Sequence, residues 1–296
     1  MTARSGGSQK FPLIKAIGWS VAFLLLGIGV SSFLMALWAW LAFGDVTAGL
    51  KALAVPGARQ ALVGGICQLI GFGFAMWLIG FRVLHLGRAQ LRLASTKPGA
   101  RGFGIGLALG AATAAVALAA AVLVANSHWS RDNGGLGDYL AQVTKTSLVL
   151  APAALSEEVM FRGVPLVLLA AAIGRGSALV LVAGLAFALF HGLNPGITAL
   201  SMGNIALAGI FLGVAFYAPG GLWTAFGAHL GWNATLAALD APVSGLPFSI
   251  PFIDYRAGDP VWLSGGHFGP EGGLLATGAI TLGLLVALRW VHKHPA

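Results

Sequence analysis

From Leu13 to Phe43 the chain carries one charged side chain, Lys15, and it returns to apolar runs of similar character almost to its end. About 20 consecutive apolar residues suffice to cross a bilayer as a helix, and lipid leaves helices and closed barrels as the only ways to satisfy the backbone. The first run is about twice as long as the core of a signal peptide and is read as a retained span. Runs of helical length separated by charged or Pro/Gly-rich breaks predict about eight spans, near 13–43, 61–81, 103–125, 146–172, 177–192, 198–217, 222–239 and 273–291. Hydrophobic residues make up 57% of the chain and charged residues 9%, against about 25% charged in soluble domains. The expectation is an all-α, polytopic membrane protein forming one domain over residues 1–296, with lipid as its surroundings.

A formal net charge of +8 in a soluble chain would suggest nucleic acid. Here no basic stripe with interleaved aromatics lies outside the apolar runs, so no nucleic-acid partner is expected. The excess follows orientation instead, because Lys and Arg collect in cytoplasmic segments. With the N-terminus inside, Arg4, Lys10, Lys15, Arg82, Arg88, Arg92, Lys97, Arg101, Arg175, Arg289 and Lys293 fall on the inner side. Lys51, Arg59, Arg131, Lys145 and Arg256 fall on the outer side, so both termini are expected in the cytoplasm of a multi-pass cell-membrane protein. The single cysteine, Cys67, excludes an intramolecular disulfide and a CxxC redox or thiolate metal site.

Several runs are dense in Gly and Ala, as at Gly102, Gly104, Gly106 and Gly110. Small residues let helices approach closely in lipid, so these positions predict packing seams and not a nucleotide loop, which would need a preceding strand and a phosphate-binding Lys. The longest connection, 240–272, holds Pro242, Pro247, Pro251, Pro260, Trp262, Phe268 and Pro270 and suits an outer loop or lid at the membrane surface. His267 and Glu271 within it are expected to be solvated, because Pro270 breaks any helical pairing between them.

Against this background Glu157 and Glu158 stand out. Carboxylates in hydrocarbon are costly and usually mark function. Glu158 and Arg162 are four apart with the acid first, the favourable order for a helical ion pair. Glu157 points about 100° away and has no local partner, which makes it the candidate catalyst.

Two later spans hold the other strong polar groups, His191 in Phe187-Ala188-Leu189-Phe190-His191, and His229 with Asn233 four residues on. Each alone has an ordinary explanation as a satisfied core residue or an interhelical link. At about 1.5 Å rise per residue, Glu157 lies about 18 Å from Lys145, His191 about 6 Å from Pro195 and Asn233 about 10 Å from Asp240. Snorkelling of Lys145 and a break at Pro152 would bring the three motifs to a common depth on one side. A carboxylate beside an imidazole can hold and deprotonate water, and a second imidazole with a carboxamide can stabilise an oxyanion. The set suits hydrolysis of an amide, with Glu157 as base, His191 as its partner, and His229 and Asn233 as oxyanion donors. Ser156 would need its own base, and a packing role fits it better.

These residues resemble the CAAX-protease and bacteriocin-processing, or Abi-type, intramembrane proteases. The family's three motifs are matched by Glu157-Glu158-x-x-x-Arg162, Phe187-x-x-x-His191 and His229-x-x-x-Asn233, in that order, over about residues 140–240. The resemblance implies a helix bundle around a polar cavity and glutamate-dependent cleavage of a peptide or protein substrate at the membrane. It places Glu157, His191, His229 and Asn233 in catalysis and Glu158, Arg162 and Phe187 in support. It also implies a zinc alternative, with Glu157, His191 and His229 as ligands. The metal-free form, with no cofactor, is expected because no His-Glu-x-x-His occurs. A reading from another class is a proton-coupled transporter or channel using the same groups as a relay, against which the absence of a convincing internal repeat counts.

Overall fold

A computed structural model describes residues 11–294; Arg4 and Lys10 of the expected inner tail lie outside the described residues. Helix α1 spans Leu13–Phe43 and α2 spans Val46–Leu53, capped by Asp45, whose carboxylate accepts from the Ala48 amide. Helix α3, Ala58–Ala75, continues into π-helical turns over Met76–Val83, and α4 covers Thr96–Ala125. Helix α5, Leu136–Arg162, is followed at once by α6, Val164–Ile173. A continuous rod then runs from α7, Arg175–Ala178, through π-helical turns at Leu179–Ala186 into α8, Phe187–Phe190. Helices α9, Ala199–Phe216, and α10, Leu222–Ala238, precede a short α11, Val261–Ser264, and the last helix, α12, Leu274–Lys293.

The chain is thus an integral membrane protein of helical build, and five of its helical segments are long and apolar enough to cross a membrane: 13–43, 58–83, 96–125, 199–216 and 274–293. Three expectations need correction. The run 146–172 is two helices, because Gly163 turns the backbone (φ −70°, ψ −118°) and Pro165 has no N–H with which to continue the ladder. Pro152 does not break α5, which passes through it and starts ten residues before the predicted 146, at Leu136. The all-α expectation misses one antiparallel pair, β1 (His128–Arg131) with β2 (Ile253–Arg256), too short to leave an alternating pattern in sequence.

The seam between α4 and α10 is built from glycine, as the composition predicts. A Cβ on Gly106 would strike the carbonyl of Thr224, and one on Gly110 that of Ala228, while Gly227 and Gly231 face the backbone at Phe103 and Leu107. The two helices therefore meet backbone to backbone along one flank of α10. On the other side, α10 packs on α5, and α5 packs on α3 with Gly65 against Ala153. Helix α10 carries His229 and Asn233, so these seams set where their side chains reach.

The connection 240–272 is pinned at its start. Asp240 accepts from the amides of Ile250 (2.9 Å) and Tyr255 (3.2 Å), and burial pushes its carboxyl up from the usual range. Trp129 donates its indole N–H to the Leu239 carbonyl at 2.7 Å, joining the small sheet to the end of α10.

Candidate active site

Three elements deliver the three motifs to one place. Near the end of α5, Ser156 is fully buried, and its hydroxyl lies 2.8 Å from the Ala153 carbonyl and 3.2 Å from Oε1 of Gln68. It is engaged in packing α5 against α3, in line with its sequence reading. Glu157, Glu158 and Arg162 follow on the same helix, and their fates differ as their angular positions require.

Glu158 and Arg162 are fully buried and paired, Nη1 to Oε1 at 3.2 Å. Nη2 of Arg162 donates to the Gly209 carbonyl of α9 at 2.8 Å, and the guanidinium lies over the Phe187 ring, 4.5 Å from its centroid. The pair is also tied to the third motif: Nδ1 of His229 donates to Oε1 of Glu158 at 2.8 Å. Local spacing predicts the first of these contacts; the other three cross between helices and leave no mark on the intervals read from sequence.

Phe187 serves the site twice. Its carbonyl accepts from Nδ1 of His191 at 2.8 Å, which fixes that ring's orientation and tautomer, since a carbonyl cannot donate. Its ring packs on His191 (centroids 4.6 Å) and edge-on to His229 (6.0 Å). The rod holding it is π-helical over Leu179–Ala186, a widening that recurs at functional sites, and it ends before Asn194-Pro195. Asn194 then donates to the Ser244 carbonyl at 2.9 Å, joining the end of the rod to the long connection.

With both Nδ1 atoms committed, both Nε2 atoms turn to Glu157. His191 Nε2 stands 3.6 Å and His229 Nε2 3.8 Å from Oε2 of Glu157. These separations are longer than direct hydrogen bonds. Oε2 is buried and has no hydrogen-bond partner among the described residues, which is unusual for a buried carboxylate oxygen. Glu157, His191, His229 and Asn233 line one open cleft between α3, α5, α10 and the long connection. The four side chains proposed from sequence thus converge. Among the described residues no group of three or more His, Cys, Asp or Glu side chains is arranged to hold a metal ion.

A second, narrow pocket shares His191, His229, Asn233 and Ser244 with the cleft and is otherwise walled mainly by Phe187, Ile205, Ala208, Phe211, Leu212 and Ile280. Its polar end is Glu271. The expectation of a solvated Glu271 is wrong: the residue is 8% exposed, and it accepts from Trp232 Nε1 at 2.9 Å, from the Ser244 hydroxyl at 2.9 Å and from the Ser244 amide. Its backbone carbonyl, with that of Gly273, accepts from Nδ2 of Asn204 on α9. His267 is exposed, as expected. Pro270 does preclude a helical pair, but a buried carboxylate needs only donors, and these come from α10 and from Ser244, far away in sequence. Trp232 beside Asn233 was the signal available, because a buried indole N–H calls for an acceptor.

No curated protein and no solved structure matches the chain. Residues 140–235, which contain all three motifs, match the family described as Type II CAAX prenyl endopeptidase Rce1-like, in keeping with the family its motifs resemble.

Proposed function

We propose that the protein is an intramembrane endopeptidase that hydrolyses a peptide bond with a water held between Glu157 and the two imidazoles. The observation that carries the reading is Oε2 of Glu157, buried and without a hydrogen-bond partner among the described residues, with two Nε2 atoms at 3.6 and 3.8 Å. Polar groups at that spacing are commonly bridged by water.

The proton accounting follows from the Nδ1 contacts. Neutral His191, with its Nδ1–H on the Phe187 carbonyl, presents a lone pair at Nε2 that accepts a hydrogen bond from the water without taking its proton. His229 already donates Nδ1–H to Glu158, so it offers an N–H to the cleft as an imidazolium. The buried cluster then balances two carboxylates with Arg162 and His229, as buried charge requires. Water attacks the carbonyl carbon while Glu157 takes its proton. The oxyanion is met by His229 Nε2–H and the Asn233 carboxamide. When the C–N bond breaks, Glu157 passes that proton to the leaving amine, leaving a carboxylic acid and an amine. No metal enters this sequence.

The substrate is a peptide or protein segment at the membrane, and the family description extends the candidates to prenylated tails. Beside the five long apolar segments we count 136–173, despite its turn at Gly163, 175–190 and 222–238 as further passes, which makes the expected eight. With the basic residues inside, both termini are cytoplasmic and the cleft opens outward in a cell membrane. The test is cleavage of prenylated and unprenylated peptides by purified protein and by Glu157→Gln. Cleavage that disappears in the variant supports the reading. Ion flux in proteoliposomes that disappears instead, with no cleavage by the parent protein, replaces it with a proton-coupled transporter.

A further inference from the structure

One wall of the cleft is α3, which lies outside residues 140–235 and has no part in the three motifs. One polar group on it is unexplained. Gln60 is part-buried and lines the cleft, and its Oε1 is buried with no hydrogen-bond partner among the described residues. Buried carboxamide oxygens are nearly always paired, so this one is matched to something that arrives.

Its position relative to Glu157 can be counted. Gly65 stands against Ala153 and Gln68 against Ser156, an offset of 88 residues in both cases (153 − 65 and 156 − 68), so α3 and α5 run side by side in the same direction. Glu157 is therefore level with residue 69 of α3, and Gln60 lies nine residues away, roughly 13 Å along the axis. An extended peptide advances about 3.4 Å per residue, so that distance spans about four residues. Between them, Gly64 has no atom within 4 Å of where its Cβ would stand, and Ala61 adds only a methyl group, so this wall leaves room for a chain. An extended segment brings the matching chemistry, an edge of unpaired backbone N–H and C=O groups.

Building on the endopeptidase reading, we infer that Gln60 is a substrate-binding residue whose Oε1 accepts a backbone N–H of an extended peptide, about four residues from the bond cleaved. The occupant is recognised there by its main chain, so this position tolerates varied side chains while demanding an unmethylated amide.

The test is a set of labelled substrate peptides, each N-methylated at one position, whose binding is followed by fluorescence anisotropy and whose cleavage is followed by mass spectrometry. The parent protein is expected to lose about tenfold in affinity when one amide, about four residues from the cleaved bond, is methylated. Gln60→Ala and the size-matched Gln60→Leu are expected to bind the unmodified peptide about tenfold more weakly, with kcat within twofold of the parent and unchanged melting. Methylation at that position should then cost them nothing further. An equal methylation penalty in parent and Gln60 variants overturns the inference, as does a Gln60 variant that binds the unmodified peptide like the parent. Gln60-dependent binding without cleavage by the parent sustains the contact while removing the endopeptidase reading.

Discussion

Nδ1 of His229 lies 2.8 Å from Oε1 of Glu158, the same oxygen that faces Nη1 of Arg162 at 3.2 Å. One carboxylate oxygen on α5 thereby sets the orientation of a residue on α10 and neutralises a buried guanidinium. Glu158→Ala would leave Arg162 buried and unpaired, and removing one partner of such a pair costs about 3–5 kcal/mol. Glu158→Gln keeps an acceptor for His229 but loses the charge. The expected order of melting temperature in detergent is parent, then Glu158→Gln, then Glu158→Ala. Parent-like melting of Glu158→Ala would refute a structural role for the residue.

Glu157 should behave in the opposite way. Its side chain is 17% exposed, and no described group depends on it for a hydrogen bond at Oε2. Glu157→Gln is expected to melt like the parent while kcat falls by about 10²- to 10⁴-fold, the range of a general base. Full-rate cleavage by this variant removes Glu157 from the mechanism.

The glycine seam gives a prediction about position with no change of chemistry. A side chain at Gly106 or Gly110 meets backbone atoms of α10, whereas one at Gly104 has nothing within 4 Å. Overpacking of this kind costs about 1–3 kcal/mol. Gly106→Val and Gly110→Val are expected to lower both melting temperature and cleavage, and Gly104→Val to leave both unchanged. A pairwise comparison of cleavage at equal folded fraction separates displacement of His229 from simple instability.

Glu271 offers a pH dependence. Burial, the largest influence, raises its carboxyl above the ordinary range, and the donors Ser244 and Trp232 oppose that only in part. A folded value above the unfolded one means that its contribution to stability is fully present below the unfolded value and is lost as pH rises through the folded one. Attachment of the 240–272 connection should therefore loosen toward higher pH. The check is Trp fluorescence and limited proteolysis of that segment against pH, with Glu271→Gln expected to flatten the dependence. Glu271→Ala, which strands the Trp232 and Ser244 donors, should loosen the segment at every pH, by about 1–3 kcal/mol for each stranded donor.

Metal dependence is settled by removal. Cleavage is expected to persist after dialysis against a strong chelator, and elemental analysis of active protein should give well below one zinc per chain. Stoichiometric zinc lost together with activity would assign Glu157, His191 and His229 to a metal instead.

What could be read ahead of the structure divides along helix boundaries. Glu158 with Arg162, and His229 with Asn233, are relations within one helix, where a spacing of four fixes the face. That Phe187 and His191 touch through a carbonyl follows from the same spacing. The tie between Glu158 and His229 depends on how α5 and α10 are set against each other, and the opposite flank of α10 is held on α4 through Gly106, Gly110, Gly227 and Gly231, a relation between helices that no spacing within one helix shows. Glu271 escaped because its partners sit 27 and 39 residues away, across a segment without periodicity. The split at Gly163 escaped because apolarity continues through it while the backbone does not.

The seam of α4 against α10 has a bearing on how such a site can be exchanged between proteins. Residues 140–235 hold every motif, yet the depth and tilt of their last helix are set by bare backbone on α4, upstream of that stretch. Transplanted behind an ordinary leucine-rich span, the motif segment would have His229 and Asn233 displaced by about the thickness of a side chain. The segment is thus not portable alone; recombination that preserves cleavage has to carry the glycine-bearing helix with it.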